Sequence, residues 1–189
     1  MGIITSKKKL LFVKLRWFYR YIRENFQLNH YVGSKEIHIN TVTETMKEMR
    51  GLTVDLSGFQ AWYLKEKKVP FKRFYLRING SRYYIYHFVI FQDKFSGMFY
   101  YLDTIHGYGQ YESPFLGLLL GFILKRYTKD HRIRKGYTYE LYEYFKLPSG
   151  IHEVEKVDLY IHETGIKTTI PENYDHKLEE EIKESIFFE

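Results

Sequence analysis

The chain reads as an α+β protein, an antiparallel β-meander packed by an N-terminal amphipathic helix and a buried central helix. Three observations predict this. Residues 71–105 hold three strand-like runs parted by Asn79-Gly80 and by Asp93-Lys94-Phe95-Ser96-Gly97. Asn-Gly between two such runs is a strong hairpin signal, because a type I′ turn needs φ > 0 at both central residues. Leu11, Leu15, Phe18, Ile22 and Phe26 form one apolar stripe at helical spacing, and residues 115–127 are apolar on every side until Lys125-Arg126. A chain of 189 residues is long enough to bury one proper core, so a single domain over 1–189 is expected.

Taken in order, residues 7–28 form the first helix, with Lys9, Arg16, Arg20 and Arg23 almost opposite its apolar stripe. A loop over 29–35 follows, then a short alternating strand over Glu36 to Asn40. Thr41 to Arg50 reads as a small helix closed by Gly51. Leu52 to Leu56 is expected as a strand, with Ser57 capping a helix to about Lys67. The meander then runs from Phe71 to Ile105. After the glycine-bearing loop at His106 to Tyr111, Ser113 caps the apolar helix, with Pro114 at its first position. Tyr137 to Phe145 is ambiguous between strand and helix, and Pro148-Ser149-Gly150 breaks the chain. Val154 to His162 and Lys167 to Ile170 suggest a second hairpin turning at Thr164-Gly165. Leu178, Ile182 and Ile186 mark a short acidic helix over about 175–187.

Composition excludes several classes of function. There is no cysteine, so disulfides, Cys-containing zinc sites and thiol nucleophiles are absent, and a reducing cytoplasmic compartment fits best. The longest apolar run, Pro114 to Leu124, is too short to span a bilayer. No apolar signal-peptide core follows the basic start. The eight histidines show neither His-x-x-x-His nor His-Glu-x-x-His spacing, so no metal site is expected. Gly107-Tyr108-Gly109 lacks the third glycine and the Lys-Ser/Thr of a phosphate loop, and no cofactor is expected. No hydroxyl sits in a nucleophile-elbow setting, so no catalytic residue is assigned from a motif. His87, in the series Tyr83, Ile85, His87, Val89, Phe91, reads as a hydrogen-bonded core or edge histidine.

Charge is informative chiefly in its distribution. The net charge is +6, yet residues 1–30 carry seven Lys/Arg against one Glu, and residues 171–189 carry two Lys against seven Asp/Glu. A second basic cluster puts six Lys/Arg into residues 125–136. Lys8, Lys9, Arg16, Arg20 and Arg23 on the first helix, joined by Lys125, Arg126, Arg132, Arg134 and Lys135, would neutralise several phosphates and release their counterions. Tyr84 and Tyr86 would add base stacking, worth on the order of 1–3 kcal/mol per base. The leading expectation is therefore a non-enzymatic binding protein that engages nucleic acid, or a complex that handles it, through a basic, tyrosine-rich surface. Nineteen Tyr and fifteen Phe also suit AT-rich coding, which points to a viral, phage or plasmid accessory protein.

Three other readings stand beside it. Trp17, Trp62, Tyr19, Tyr21 and Tyr63 lie on helices that also carry Arg or Lys, and these residue types dominate interface energies. With the apolar end Ile186-Phe187-Phe188, they suit an inhibitor or adaptor acting on a host protein, or self-association into a homo-oligomer. Met1-Gly2-Ile3-Ile4-Thr5-Ser6 matches an N-myristoylation signal, with Lys7-Lys8-Lys9 as the second, electrostatic anchor; peripheral membrane association follows only if Gly2 is acylated. Finally, Tyr160-Ile161-His162-Glu163-Thr164 resembles one half of the two-histidine phosphoesterase family, which carries two His-x-Thr/Ser motifs on paired strands. The other half would be His38-Ile39-Asn40, where Asn40 replaces the hydroxyl residue. The resemblance implies a phosphodiester-cleaving enzyme in which His38 and His162 exchange protons while Thr164 holds a phosphate oxygen.

Overall fold

The fold, taken from a computed structural model, is described for residues 17, 18, 20–29, 35–79, 83–94, 96–102, 112–130 and 138–169. Among these, 17, 18 and 20–25 are helical (α1). Then come β1 (Gln27–Leu28), β2 (Glu36–Ile39), α2 (Val42–Glu48), β3 (Arg50–Gly51), α3 (Thr53–Glu66), β4 (Phe71–Asn79), β5 (Tyr83–Gln92) and β6 (Phe99–Leu102). The remainder is β7 (Glu112–Ser113), α4 (Leu116–Asp130), β8 (Thr138–Tyr144), β9 (Gly150–Glu153), α5 (Val154–Thr164) and β10 (Ile166–Lys167).

A six-stranded antiparallel sheet in the order β10-β8-β4-β5-β6-β7 forms the centre, and helices cover both of its faces. Side chains alternate across a strand, so β4 splits into two sets. Phe74, Leu76 and Ile78 join Tyr86, Phe88, Ile90 and Leu141 against α4, whose Leu119, Leu120, Ile123, Leu124 and Tyr127 are buried there. Tyr75, on the opposite set, meets Tyr142, Tyr144 and Val54 of α3, with Val157 and Ile161 of α5. Further along that face, Ala61 and Leu64 of α3 pack on Val89, Phe91, Tyr100 and Leu102. Helix α1 lies outside α3, with Phe18 and Ile22 on Phe59 and the Phe18 ring stacked 3.7 Å from that of Tyr63. Two small ladders complete the described chain: β1 with β3, parallel, and β2 with β9, antiparallel.

The α+β class and the antiparallel meander are as expected. The turn at residues 93–97 is also observed: Gly97 N–H donates to the Asp93 carbonyl at φ +73°, and Asp93 Oδ2 accepts from Ser96 N and Oγ. Three expectations are corrected. Asn79 pairs with Tyr83, so Asn79 belongs to the β4–β5 ladder rather than to the expected two-residue turn Asn79-Gly80. That register sets Tyr75 opposite His87 and Phe74 opposite Phe88, and satisfying both faces outweighs the local turn preference. Residues 52–56 are not a strand: α3 starts at Thr53, and the Asp55 carboxylate accepts from Leu52 N and from Asn40 N, each at 2.8 Å. An acid at the third helical position answering an orphan N–H is half of a capping box. Residues 154–162 are helix α5 rather than one arm of a hairpin, because Val154, Val157 and Ile161 recur at spacing 3 and 4 and all three are buried. The expected acidic helix at about 175–187, the first sixteen residues and the glycine loop at 106–111 lie outside the described residues.

Candidate functional site

Arg73 is the residue around which a site can be built. It lies on the inner face of β4 under α3, only 8% exposed. Its Nη2 donates to the Val54 carbonyl at 3.2 Å and to Ser57 Oγ at 3.0 Å, and Ser57 Oγ donates on to the Val54 carbonyl. The guanidinium carbon sits 4.6 Å from the centre of the Tyr144 ring, a cation–π contact. Behind it, the Tyr144 hydroxyl is 3.3 Å from Ser57 Oγ and 2.9 Å from His87 Nδ1. Burial, and then the Arg73 charge, push the His87 ring down to about 3, so the imidazole is neutral and Nδ1 can accept a hydrogen bond from the phenol. Burial also raises the Tyr144 phenol, which keeps its proton. Among the described residues, Arg73 has no carboxylate partner, and its buried Nε donates to nothing. A buried, incompletely satisfied cation is costly, and an anion is what would satisfy it.

Two clefts meet at this arginine. The first, about 570 Å³, runs between Lys65, Lys68, Phe71 and Lys72 on one side and Glu143, Phe145 and Ile166 on the other. Lys72 Nζ is 2.6 Å from the Glu143 carboxylate, so one of its charges is already answered. The second, about 400 Å³, lies between α3 and the segment after β8, lined by Trp62, Lys65, Lys146 and the polar Asn40, Thr41 and Ser149. Among the described residues no Asp or Glu lines this second cleft, whereas Arg73, Lys65 and Lys146 all do. Phe71 and Phe145 border both clefts, and Phe145 is 90% exposed. The Trp62 indole, held by stacking on Phe59, is 37% exposed. Cations interleaved with accessible aromatic rings can hold an anion that carries a flat apolar body.

The structure distributes the sequence-derived residues unevenly. Arg20 and Arg23 are exposed on α1, and Arg20 is paired with Glu24 at 2.7 Å. Lys125 and Arg126 belong to α4, on the opposite face of the sheet from α3 and α1, so the two basic groups do not merge into one described surface. Tyr86 is 4% exposed, with its ring 4.0 Å from that of Tyr127, and Tyr84 is half-buried against the same cluster. Tyr86 presents no free face for stacking, whereas Tyr84 is partly accessible. Lys8, Lys9, Arg16, Arg132, Arg134 and Lys135 lie outside the described residues. Sequence reading passed over Arg73, Lys65 and Lys146. The available signal was the alternation of β4, which puts Arg73 on the same face as Tyr75, beside the Val89 and His87 set of β5.

A second polar group bridges the sheet and α5. The Tyr75 hydroxyl donates to Asp158 Oδ1 at 3.0 Å, and Arg77 lies 3.6 Å from Asp158 and 3.9 Å from Glu140. His162 Nε2 is 3.9 Å from Glu140, and its ring stacks on Tyr142 at 4.7 Å. Burial raises the Asp158 carboxyl and the Tyr75 phenol, and Arg77 opposes both shifts. This network ties α5 to β4 and β8. Its histidine does not fit the phosphoesterase pattern, because His162 is on a helix, whereas His38 is an exposed residue of β2 paired with Ile151. Among the described residues, no group of three or more His, Asp or Glu is arranged to hold a metal ion. No described helix is long and apolar enough to cross a membrane. Neither a protein-family model nor a curated protein sequence matches the chain.

Proposed function

We propose that the protein binds nucleic acid without turning it over, and that the contact is the pair of clefts around Arg73 rather than the tyrosines of the meander. The observation that carries this reading is the buried guanidinium without a carboxylate partner among the described residues, flanked by Lys65 and Lys146 and by the accessible rings of Trp62 and Phe145. Phosphates supply the missing charge and bases supply faces for the rings, so affinity comes mainly from electrostatics and stacking. The exposed cations of α1, outside α3, extend the same side of the molecule.

The test is a titration of labelled single-stranded and double-stranded oligonucleotides at two salt concentrations. Binding should weaken about tenfold or more between low and physiological salt. In Lys65→Glu/Lys146→Glu it should fall by at least the same factor, with a shallower salt slope. Absence of binding at low salt, or equal binding by the double variant, would overturn the proposal. A second reading, docking of a partner protein, is favoured by exposed Ile151, Leu159, Tyr160 and Ile166 around β9, α5 and β10. It predicts capture that is insensitive to salt and lost in Leu159→Asp.

A further inference from the structure

We infer that the second cleft is a subsite for a phosphate monoester carried next to a planar base, with the phosphate on Arg73 and the base against Trp62. Three features of the cleft point there together. First, among the described residues the cleft is lined by Arg73, Lys65 and Lys146 and by no carboxylate, whereas the first cleft contains Glu143. A monoester brings close to two negative charges, and the second cleft, whose described lining holds no carboxylate, receives them with less repulsion than the first, where Glu143 stands. Second, Arg73 is more than nine-tenths buried, and one of its donors has no acceptor among the described residues. The forked guanidinium suits the oxygens of a phosphate better than a diffuse surface charge does. A projecting end can reach a group so deep, whereas an internal phosphodiester would have to bring both flanking nucleotides down with it. Third, a volume of about 400 Å³ is in the range of small-ligand sites, and Trp62 and Phe71 give it aromatic walls.

The support beneath Arg73 is rigid, as a preformed anion site requires. Ser57 and the Val54 carbonyl fix Nη2 from α3, and Tyr144, itself bonded to neutral His87, lies under the guanidinium plane. Gly58 of α3 stands beside the same group, since an added Cβ would lie 3.6 Å from Nη2. The monoester can come from the end of a strand or from a free nucleotide. The strand source rests on the nucleic-acid reading above; the phosphate subsite does not.

Both are tested in one series, following Trp62 fluorescence in a Trp17→Phe background. The probes are one oligonucleotide with a 5′-phosphate, a 3′-phosphate or two hydroxyl ends, together with a nucleoside monophosphate and inorganic phosphate. A terminal phosphate at one end should tighten binding roughly tenfold over the hydroxyl-ended strand, the scale of a charge-assisted bidentate contact. That gain should vanish in Lys146→Gln and shrink in Arg73→Lys, which keeps the charge and loses the fork. Lys146 is exposed, so its replacement reads out the subsite even if Arg73→Lys unfolds. Equal binding of all three strands, with salt dependence retained, would overturn the subsite and leave the nucleic-acid reading standing. Binding of the monophosphate without any strand would keep the subsite and overturn that reading. Binding of no probe would overturn both.

Discussion

Asp55 and His87 are buried titratable residues that pull the pH dependence of stability in opposite directions. Asp55 is pushed up to about 6, because burial outweighs the two backbone N–H groups that favour its ionised form. Between about pH 4 and 6 the folded chain holds this proton and the unfolded chain does not, so acidification from neutrality adds stability here, about 1 kcal/mol between pH 7 and 5. His87 is held down to about 3, so below about pH 6.5 only the unfolded chain takes its proton. Stability at this site is full above pH 6.5 and is lost progressively toward pH 3, by about 2 kcal/mol between pH 7 and 5. Urea unfolding at pH 7 and 5 separates them. Asp55→Asn should lose about 1 kcal/mol more than the natural protein over that interval, and His87→Asn about 2 kcal/mol less. Parallel pH profiles would reject both assignments. The histidine's burial was legible from its place in an alternating strand. The inward arginine beside it was not, because its burial depends on Ser57 and Tyr144, distant in sequence.

At the scale of elements, legibility followed how local the signal was. Helix α4 was plain from its all-round apolarity, but it starts at Leu116, later than expected: Ser113 belongs to β7, its Oγ accepting from Phe115 N at 3.1 Å, and the Phe115 carbonyl takes the first helical bond, from Leu119 N. The strand β8, ambiguous in sequence, was decided by pairing with β4 over seven residues, Arg73↔Tyr144 to Asn79↔Thr138. The N-terminus of α3 was missed because Asp55 takes the Asn40 amide as well as that of Leu52, which ties the helix start to the end of β2. Two glycines at helix positions make opposite predictions from geometry alone. A Cβ at Gly165, just after α5, would lie 2.5 Å from the Ile161 carbonyl oxygen and 3.2 Å from that of Glu143. Both neighbours are backbone, so Gly165→Ala should destabilise the fold by about 2 kcal/mol as α5 and β8 are forced apart. A Cβ at Gly58, within α3, meets only the tip of Arg73 at ordinary contact distance. Gly58→Ala should therefore stabilise by about 1 kcal/mol through helix propensity. Thermal or chemical unfolding checks both signs, and equal effects would show that contacts at these sites do not decide them.

At the scale of the whole molecule, the sheet separates charges that the linear sequence invites one to add. Lys125 and Arg126 sit on α4, which covers the face of Phe74, Leu76 and Ile78. Arg73 points to the other face, under α3, where Lys65 and Trp62 border the second cleft. Charge spacing along a chain is local, but the side of a sheet to which a helix docks depends on strand parity across the whole meander. A summed basic surface was therefore the expectation least open to sequence reading. The separation makes a prediction that total charge does not. Lys65→Glu/Lys146→Glu and Lys125→Glu/Arg126→Glu each change the net charge by the same amount. If binding follows net charge, the two double variants will weaken oligonucleotide affinity alike at about 0.1 M salt. If contact is confined to the Arg73 side, the first should lose about tenfold or more, while the second changes only slightly, because charges beyond the Debye length of about 8–10 Å are screened. Raising salt should then erase the small effect of the α4 variant before it erases the effect of the cleft variant.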